Sequence, residues 1–234
     1  MLDRRHVLVT GARNGIGQAV ASRFLRDGHY VSAADMPMPA VRAGDRFNPL
    51  ELDVRSRASH ENAMAAATDR FGRVSVLVTH AFIGLTGPLE AISLAEWNLV
   101  LAVNLRGAMY SVQAAVANMV AGDTIIVTSS IAGRRYSSVM GAHYTVARYG
   151  LIGLARHLAA ELAGRGIRIN VVCPGPPNTP QMWEVTSAES RDLLAKNTPL
   201  RQLAEPEDVA DVVYFLSRPG HMHGAVVDVN GGLY

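Results

Sequence analysis

The stretch VLVTGARNGIGQAVASRFL, residues 7–25, joins an apolar, β-branched run to a segment of helical periodicity through a turn that contains three glycines. Glycines allow a tight turn and a close approach of the backbone to a ligand, and the free amides and dipole at a helix start attract phosphate. This strand-turn-helix order predicts a dinucleotide-binding turn. The predicted cofactor contacts here are Gly11, Arg13, Asn14, Gly15, Ile16 and Gly17.

The same alternation of short apolar runs and helical segments continues along the chain. It predicts parallel strands joined by crossover helices, and therefore a single-domain α/β Rossmann fold, a doubly wound parallel sheet of about seven strands flanked by helices. We predict strands at 6–10, 30–34, 50–54, 75–79, 124–128, 167–172 and 225–229. We predict helices near 15–27, 57–71, 93–121, 143–163 and 206–217.

Length and composition indicate one domain, residues 1–234. The chain is 49% hydrophobic and 18% charged, which is enough apolar material for a full core. The stretch from 174 to about 200 departs from the regular pattern, because five prolines interrupt it and leave room for one short helix. We expect this stretch to be a substrate loop or lid, with Met182 and Trp183 on its apolar side.

Composition also excludes several classes of function. The single Cys173 cannot form an internal disulfide or a thiolate metal cage, and no metal site is expected. The net charge of +2 is spread along the chain, which disfavours nucleic acid. No apolar run of membrane-spanning length and no signal peptide are expected, so we predict a cytoplasmic protein.

Asp35 closes the second predicted strand, eighteen residues beyond Gly17. A carboxylate there can accept hydrogen bonds from an adenosine ribose and repel a 2′-phosphate, which favours NAD(H) over NADP(H). The next residue is Met36, whereas a basic residue at this position would bind a 2′-phosphate. Arg13 and Arg42 could still approach such a phosphate.

Further motifs occur in an order and spacing that resemble the short-chain dehydrogenase/reductase family over essentially the whole chain. They are TGARNGIG at 10–17, Asp53 and Val54, Ala81 after strand four, Asn104 in VNLRG, Ser129 and Ser130 in IIVTSSIAG, Tyr144, and Pro174, Gly175 and Thr179. The resemblance implies that these residues bind the cofactor or act on substrate. It implies hydride transfer between NAD(H) and a secondary alcohol or ketone.

Within that resemblance, Tyr144 is the implied acid/base, Ser130 shares the charge on the substrate oxygen, and Asn104 holds a relay water; Ser129 is the fallback for Ser130. The family's Tyr-x-x-x-Lys is here Tyr144-Thr-Val-Ala-Arg148. Residues four apart share a helical face, so the cation stays beside the phenol. Arginine can hold the ribose and stabilise the phenolate, but a guanidinium does not readily pass a proton onward.

Two further departures concern the site. The family's NNAG is replaced by THAF at 79–82, so that His80 takes a bracing position and Phe82 replaces a glycine beside the cofactor. Only seventeen residues lie between Asp35 and Asp53, too few for the usual helix. This short connection is similar to that of dihydrodihydroxybenzoate dehydrogenases, which suggests a cyclic or dihydrodiol-type substrate.

Three expectations remain open at this point. Arg134 and Arg135 follow the serine turn, as a solvated pair or as a site for a substrate carboxylate or phosphate. Small residues on the two long helices suggest a homo-oligomer, a tetramer or a dimer: Ala108, Ala114, Ala115, Ala147, Gly150, Gly153 and Ala155. The alternative to an enzyme is a non-catalytic NAD(H)-binding relative that acts as a sensor or scaffold.

Overall fold

The computed structural model describes residues 4–38 and 42–234, and it forms one seven-stranded sheet in the order β3-β2-β1-β4-β5-β6-β7 with every pair parallel. The strands are β1 His6–Thr10, β2 Tyr30–Asp35, β3 Phe47–Glu51, β4 Val76–Thr79, β5 Thr124–Thr128, β6 Arg168–Pro174 and β7 Val226–Val229. The order reverses between β1 and β4, which makes the doubly wound Rossmann fold expected from the sequence.

Helices cover both faces of this sheet. They are α1 Gly15–Arg26, α2 Arg57–Phe71, α3 Leu94–Leu101, α4 Gly107–Val116, α5 Ala142–Leu162, α6 Pro180–Val185, α7 Ala188–Asn197 and α8 Pro206–Ser217. Buried residues on successive strand positions belong to opposite faces: Val76 and Val78 pack with α1 and α8, whereas Leu77 packs with α2, α4 and α5. Strands that are covered on both sides need continuous apolar runs, which is the pattern read from the sequence.

The third strand lies three residues earlier than predicted. The prediction of 50–54 was wrong because Asn48 and Pro49 are residues typical of turns. They belong instead to an edge strand of the sheet. Proline is tolerated there because the amide hydrogen that it lacks would point away from the neighbouring strand and form no hydrogen bond within the sheet. The apolar residues Leu52 and Val54 instead follow the strand in a loop and are buried.

The predicted helix 93–121 is interrupted and shorter. A π-helical turn at Ala102–Arg106 separates α3 from α4, and the helix ends at Val116. The continuous segment Leu94–Val116 has a mean hydropathy of 1.3 over its most apolar window, so the expectation that no run has membrane-spanning length and composition was wrong. Core helices pass the same test, and this segment packs against α2, β4 and α5.

The stretch after β6 contains two short helices, α6 and α7, where the sequence predicted one. Thr179 caps α6, with its hydroxyl accepting from the Met182 amide, and Pro180 occupies the first turn. Ser187 caps α7 in the same way, so the chain restarts a helix immediately after Thr186.

The small residues proposed for an oligomer interface are mostly internal. Ala108, Ala115, Ala147 and Ala155 are buried within the chain's own core, and a Cβ on Gly150 would approach Leu105 to 2.9 Å. These residues allow the helices of one copy to pack closely, so that part of the interface prediction was wrong. Ala114 is only partly buried and Gly153 is exposed.

Candidate active site

The predicted site residues meet at one edge of the sheet. Strands β1, β2, β4, β5 and β6 end at Thr10, Asp35, Thr79, Thr128 and Pro174, and the loops that follow them converge. Parallel strands bring their carboxyl ends to the same edge, and the crevice beside the reversal of strand order is the ligand site of such sheets.

The glycine turn after β1 has little room for side chains. Gly11 has φ 72°, and a Cβ there would lie 2.6 Å from the Ala81 backbone; on Gly17 it would lie 2.0 Å from the Gly11 carbonyl oxygen. Asn14 begins α1 without a side-chain cap, so the first amides of this twelve-residue helix have no side-chain acceptor from it. Free amides at the start of a helix suit an anionic phosphate.

A cleft of about 980 Å³, open solvent at its mouth included, lies on the Asp35 side of this turn; we call it the Asp35 cleft. The Asp35 carboxylate accepts hydrogen bonds from the Arg13 amide at 3.0 Å and the Met36 amide at 2.7 Å, which fixes its orientation. Seven of the predicted cofactor residues line this cleft together: Gly11, Arg13, Asn14, Asp35, Asp53, Val54 and Ala81.

Asp53 is paired with a residue that the sequence analysis did not single out. The Arg55 guanidinium lies 2.7 Å from the Asp53 carboxylate and lowers the pKa of that carboxyl through its hydrogen bonds. The charge of Arg55 is therefore compensated locally, even though Arg55 also lines the Asp35 cleft.

A second cleft of about 890 Å³, again including solvent at its mouth, lies on the other side; we call it the Tyr144 cleft. The remaining predicted site residues that line it are Ile16, Ser130, Tyr144, Arg148, Pro174, Gly175 and Thr179. Ser130 accepts a hydrogen bond from the Ala132 amide at 3.1 Å, which leaves its own O–H available to donate. Ser129 is buried and donates to the Arg148 carbonyl at 2.9 Å, so its hydroxyl is already committed and the fallback assignment fails.

Tyr144 stands in the first turn of α5 and is 9% exposed. Its ring packs with Val100 and Ala132, and no hydrogen bond to its hydroxyl is present within residues 4–38 and 42–234. A hydroxyl that faces a cleft and lacks a partner in the protein is available to a ligand.

Arg148 is 3% exposed and lies between two aromatic rings. Its Cζ is 4.7 Å from the Tyr144 ring centroid and 5.2 Å from that of Phe82, and Nη1 donates to the Thr128 carbonyl at 3.0 Å. Its Nε has no partner, and no carboxylate pairs with it in the described part of the chain. A buried cation is costly without an acceptor, so this arrangement suits a ligand that brings oxygen atoms.

The THAF segment supplies the second of those rings. Phe82 lines both clefts, and its ring centroid is 5.6 Å from that of His80 in an edge-on contact. His80 is buried, and burial lowers the pKa of its imidazole to about 3, with the charge of Arg148 acting in the same direction. The imidazole is therefore neutral near pH 7, and its backbone amide donates to the Thr10 hydroxyl as part of the bracing.

Asn104 lies in the π-helical turn and binds the loop that carries Phe82. Its Oδ1 accepts from the Ile83 amide at 2.9 Å, and its Nδ2 donates to the Ile83 carbonyl at 2.8 Å. The side-chain amide thus holds the backbone after β4 and is not free to hold a water as a bidentate ligand. Its part in a proton relay stays a prediction.

Gln181 was missed by sequence reasoning, although the neighbouring Met182 and Trp183 were expected in the lid. Its side-chain amide donates to Oδ1 of the Asn14 side chain, and it lines both clefts. A Cβ on Gly15 would lie 2.9 Å from Gln181 Oε1, so α6 closes directly onto the glycine turn. The polar residue in the first turn of a helix that is capped by Thr179 and begins with Pro180 was the available signal.

Comparison with known proteins agrees with this geometry. A family model described as enoyl-(acyl carrier protein) reductase matches residues 11–234. The (3R)-3-hydroxyacyl-CoA dehydrogenase of Rattus norvegicus is 35% identical over 248 residues, which cover 97% of this chain and 95% of that protein. Among the residues described, no group of three His, Cys, Asp or Glu side chains is placed to hold a metal ion.

Two solved structures illustrate the similarity in three dimensions. A 3-oxoacyl-[acyl-carrier protein] reductase from Brucella melitensis with bound NAD has a TM-score of 0.88 at 31% identity, covering 100% of this chain and 92% of that one. A blue fluorescent protein from a metagenomic library, in complex with NADPH, has a TM-score of 0.88 at 28% identity, covering 99% and 98%.

The fold, the glycine turn and the two clefts define an oxidoreductase that uses a nicotinamide cofactor. The chain belongs to the short-chain dehydrogenase/reductase family, as the resemblance of its motifs predicted, and it is an oxidoreductase of the type that acts on alcohol or ketone substrates.

Proposed function

We propose that this enzyme transfers a hydride between NAD(H) and the carbinol carbon of a secondary alcohol or the corresponding ketone. The proposal rests on the polar side chains that line the Tyr144 cleft. There, the Tyr144 hydroxyl lacks a partner within the described residues and the Ser130 hydroxyl is free to donate. The unpaired Arg148 cation lies beside them.

The preference for NAD(H) rests on Asp35. Its carboxylate is held by two backbone amides in the cleft where the adenosine ribose would bind, so a 2′-phosphate would meet a fixed negative charge. Arg55 is compensated by Asp53 and is a poor counterion for that phosphate. The relatives with bound NAD and bound NADPH support nicotinamide cofactors in general, and Asp35 supports the choice between them.

When bound, the nicotinamide ring would supply or accept the hydride. Negative charge then develops on the substrate oxygen in the direction of reduction, and Ser130 donates a hydrogen bond to it while Tyr144 donates the proton. The remaining Nη donors of Arg148 would hold the nicotinamide ribose. Because a guanidinium keeps its proton near neutrality, Tyr144 regains its proton from water in the cleft and not from Arg148.

The substrate class is a cyclic or dihydrodiol-type alcohol, or the matching ketone. Apolar residues from the lid and from the loop before α5, Met182 and Met140 among them, supply walls that suit such a ring. A cytoplasmic location stays a prediction.

A second candidate is a non-catalytic NAD(H)-binding sensor or scaffold. The position of Phe82 favours it, because this ring covers Arg148 where the family has a glycine. A panel of secondary alcohols and cyclic ketones, followed at the nicotinamide absorbance, separates the two candidates. Turnover supports the enzyme, whereas NADH binding without turnover of any member supports the sensor.

We also propose that the protein is a homo-oligomer, a dimer or a tetramer, that pairs through the outer face of α5. Val146 and Tyr149 are 45% and 48% exposed on this face, and Gly153 follows with open space above it. Sedimentation analysis at micromolar concentration tests the proposal. A monomer would contradict it, and Tyr149→Asp should shift an oligomer towards the monomer.

A further inference from the structure

The two consecutive arginines after the serine turn have different environments. Arg134 turns away from the Tyr144 cleft, and its Nε lies 3.2 Å from the Asp228 carboxylate. Arg135 lines the Tyr144 cleft. The alternatives left open by the sequence are therefore resolved residue by residue: Arg134 is an ion-paired loop residue, and Arg135 is a residue of the cleft wall.

Arg135 is held in place from two directions. Its Nη1 donates to the main-chain oxygen of Tyr234 at 2.8 Å, and its Cζ lies 5.1 Å from the centroid of the Tyr136 ring. Within the described residues this oxygen is its one hydrogen-bond acceptor, and no Asp or Glu side chain lies within ion-pair distance. A guanidinium has five N–H donors in a fixed plane, so most of them remain available.

The charged side chains that line the cleft have one sign. Of the described residues that line it, none is Asp or Glu, whereas Arg135 and Arg148 are both cationic. Arg148 is 3% exposed and contacts two aromatic rings. Arg135 is only partly buried, and the wall around it includes apolar side chains such as Val139 and Leu233. A cation in such surroundings attracts an anion more strongly than one in open solvent.

We propose that Arg135 binds a carboxylate on the substrate, so that the enzyme acts on oxo acids and the corresponding hydroxy acids. This inference rests on the proposed function, because it assumes that the reacting carbonyl lies at Tyr144 and Ser130. Carboxylate and guanidinium match as a pair of parallel hydrogen bonds, which orients the substrate as well as binding it. The apolar wall between the two ends accommodates the carbon skeleton.

The test compares acids with their neutral counterparts. The probes are 3-oxo-, 4-oxo- and 5-oxohexanoate, 3-oxocyclohexanecarboxylate and the methyl ester of each, measured for binding to the NAD⁺-loaded protein by calorimetry and for reduction with NADH. In the natural protein at least one acid should bind about tenfold or more tighter than its ester. Arg135→Ala should remove that difference, raising KM for the acid and leaving the ester unchanged, and Arg135→Lys should restore part of it.

Arg57→Ala is the matched control, because it removes one positive charge from an exposed pair on α2 and Arg57 does not line the Tyr144 cleft. This variant should keep the preference for the acid. If acids and esters bind equally well to the natural protein, or if Arg135→Ala weakens both equally, the proposal is overturned. Arg135-dependent binding of 3-oxohexanoyl-CoA but not of any free acid would also overturn it, because the anion would then be a phosphate.

The binding measurements distinguish failure of this inference from failure of the proposed function. Arg135-dependent binding of an acid without reduction would support the carboxylate site and contradict the dehydrogenase. Reduction of ketones with no dependence on Arg135 would support the dehydrogenase and contradict the carboxylate site.

Discussion

Replacing Arg148 by Ala should weaken cofactor binding, whereas opposing terms should limit its effect on the stability of the cofactor-free fold. In the free protein the guanidinium gains about 1.5–3 kcal/mol from its bond to the Thr128 carbonyl and about 0.5–2 kcal/mol from each ring contact. Against these gains stands the cost of holding an unpaired cation at 3% exposure, which is several kcal/mol. The two terms oppose each other, so the free energy of unfolding should fall by less than the summed gains of about 2.5–7 kcal/mol.

With cofactor present there is no such opposition. If the donors of Arg148 hold the ribose, their loss removes a charge-assisted interaction of about 1.5–3 kcal/mol, which corresponds to an increase of about 10- to 150-fold in the Kd for NADH. Titration of NADH measures the Kd, and urea unfolding without cofactor measures stability. Arg156→Ala is the control, because Arg156 is exposed on the same helix.

The lysine variant distinguishes an adapted site from a decayed one. Arg148→Lys restores a cation that can pass protons but removes the planar fork. A faster enzyme, most visibly at lower pH, would show that the proton path limits the natural protein; a slower enzyme would show that the site is built around the guanidinium. An unchanged Kd for NADH in Arg148→Ala would refute the assignment of Arg148 to the cofactor.

Three further predictions concern Asp35, Phe82 and His80. Asp35→Ala should narrow the difference in affinity between NADH and NADPH, and equal affinities in the natural protein would contradict the role of this carboxylate. A double-mutant cycle with Phe82→Leu and Arg148→Met should give a coupling of about 0.5–2 kcal/mol in unfolding free energy, and a coupling near zero would mean that the ring does not stabilise the cation. Because the folded-state pKa of His80 is about 3, below that of the unfolded chain, the unfolded state takes up more protons as the pH falls from about 6.5 to 3, and stability falls with it. Between pH 7 and pH 5, the free energy of unfolding measured in urea should fall by about 2 kcal/mol less in His80→Asn than in the natural protein. An identical fall in both proteins would contradict a buried, neutral His80 imidazole.

Strands and turns that obey strong local rules were predictable from the sequence. The glycine turn was predictable because Gly11 and Gly17 have no room for a Cβ, so glycine is required at both positions. The inner strands were predictable because both of their faces are buried, which requires continuous apolar runs. Strand β3 was misplaced because an edge strand tolerates Asn48 and Pro49, which local rules assign to turns. The π-helical turn was not predicted; Asn104 within it binds Ile83, twenty-one residues away, and such a long-range contact leaves no local pattern.

The site was predictable to the level of its residues but not of their partners. Motif order brought Ser130, Tyr144 and Arg148 together correctly at one cleft. Side-chain direction in an irregular loop has no periodicity, however, so Arg134 and Arg135 could not be told apart from the sequence. The contact between Gln181 and Asn14 spans 167 residues and depends on how α6 packs on the turn.

Transfer of deuterium from C4-deuterated NADH to a ketone tests the central claim most directly, with NADH affinity measured on the same samples. We expect deuterium on the carbinol carbon of the product with the natural protein. We expect a rate about 100- to 10,000-fold lower in Tyr144→Phe, with NADH affinity unchanged, because this hydroxyl donates the proton and does not hold the cofactor. Two results would contradict this mechanism. One is deuterium transfer at the natural rate in Tyr144→Phe, and the other is NADH binding without transfer to any ketone or oxo acid of the two panels.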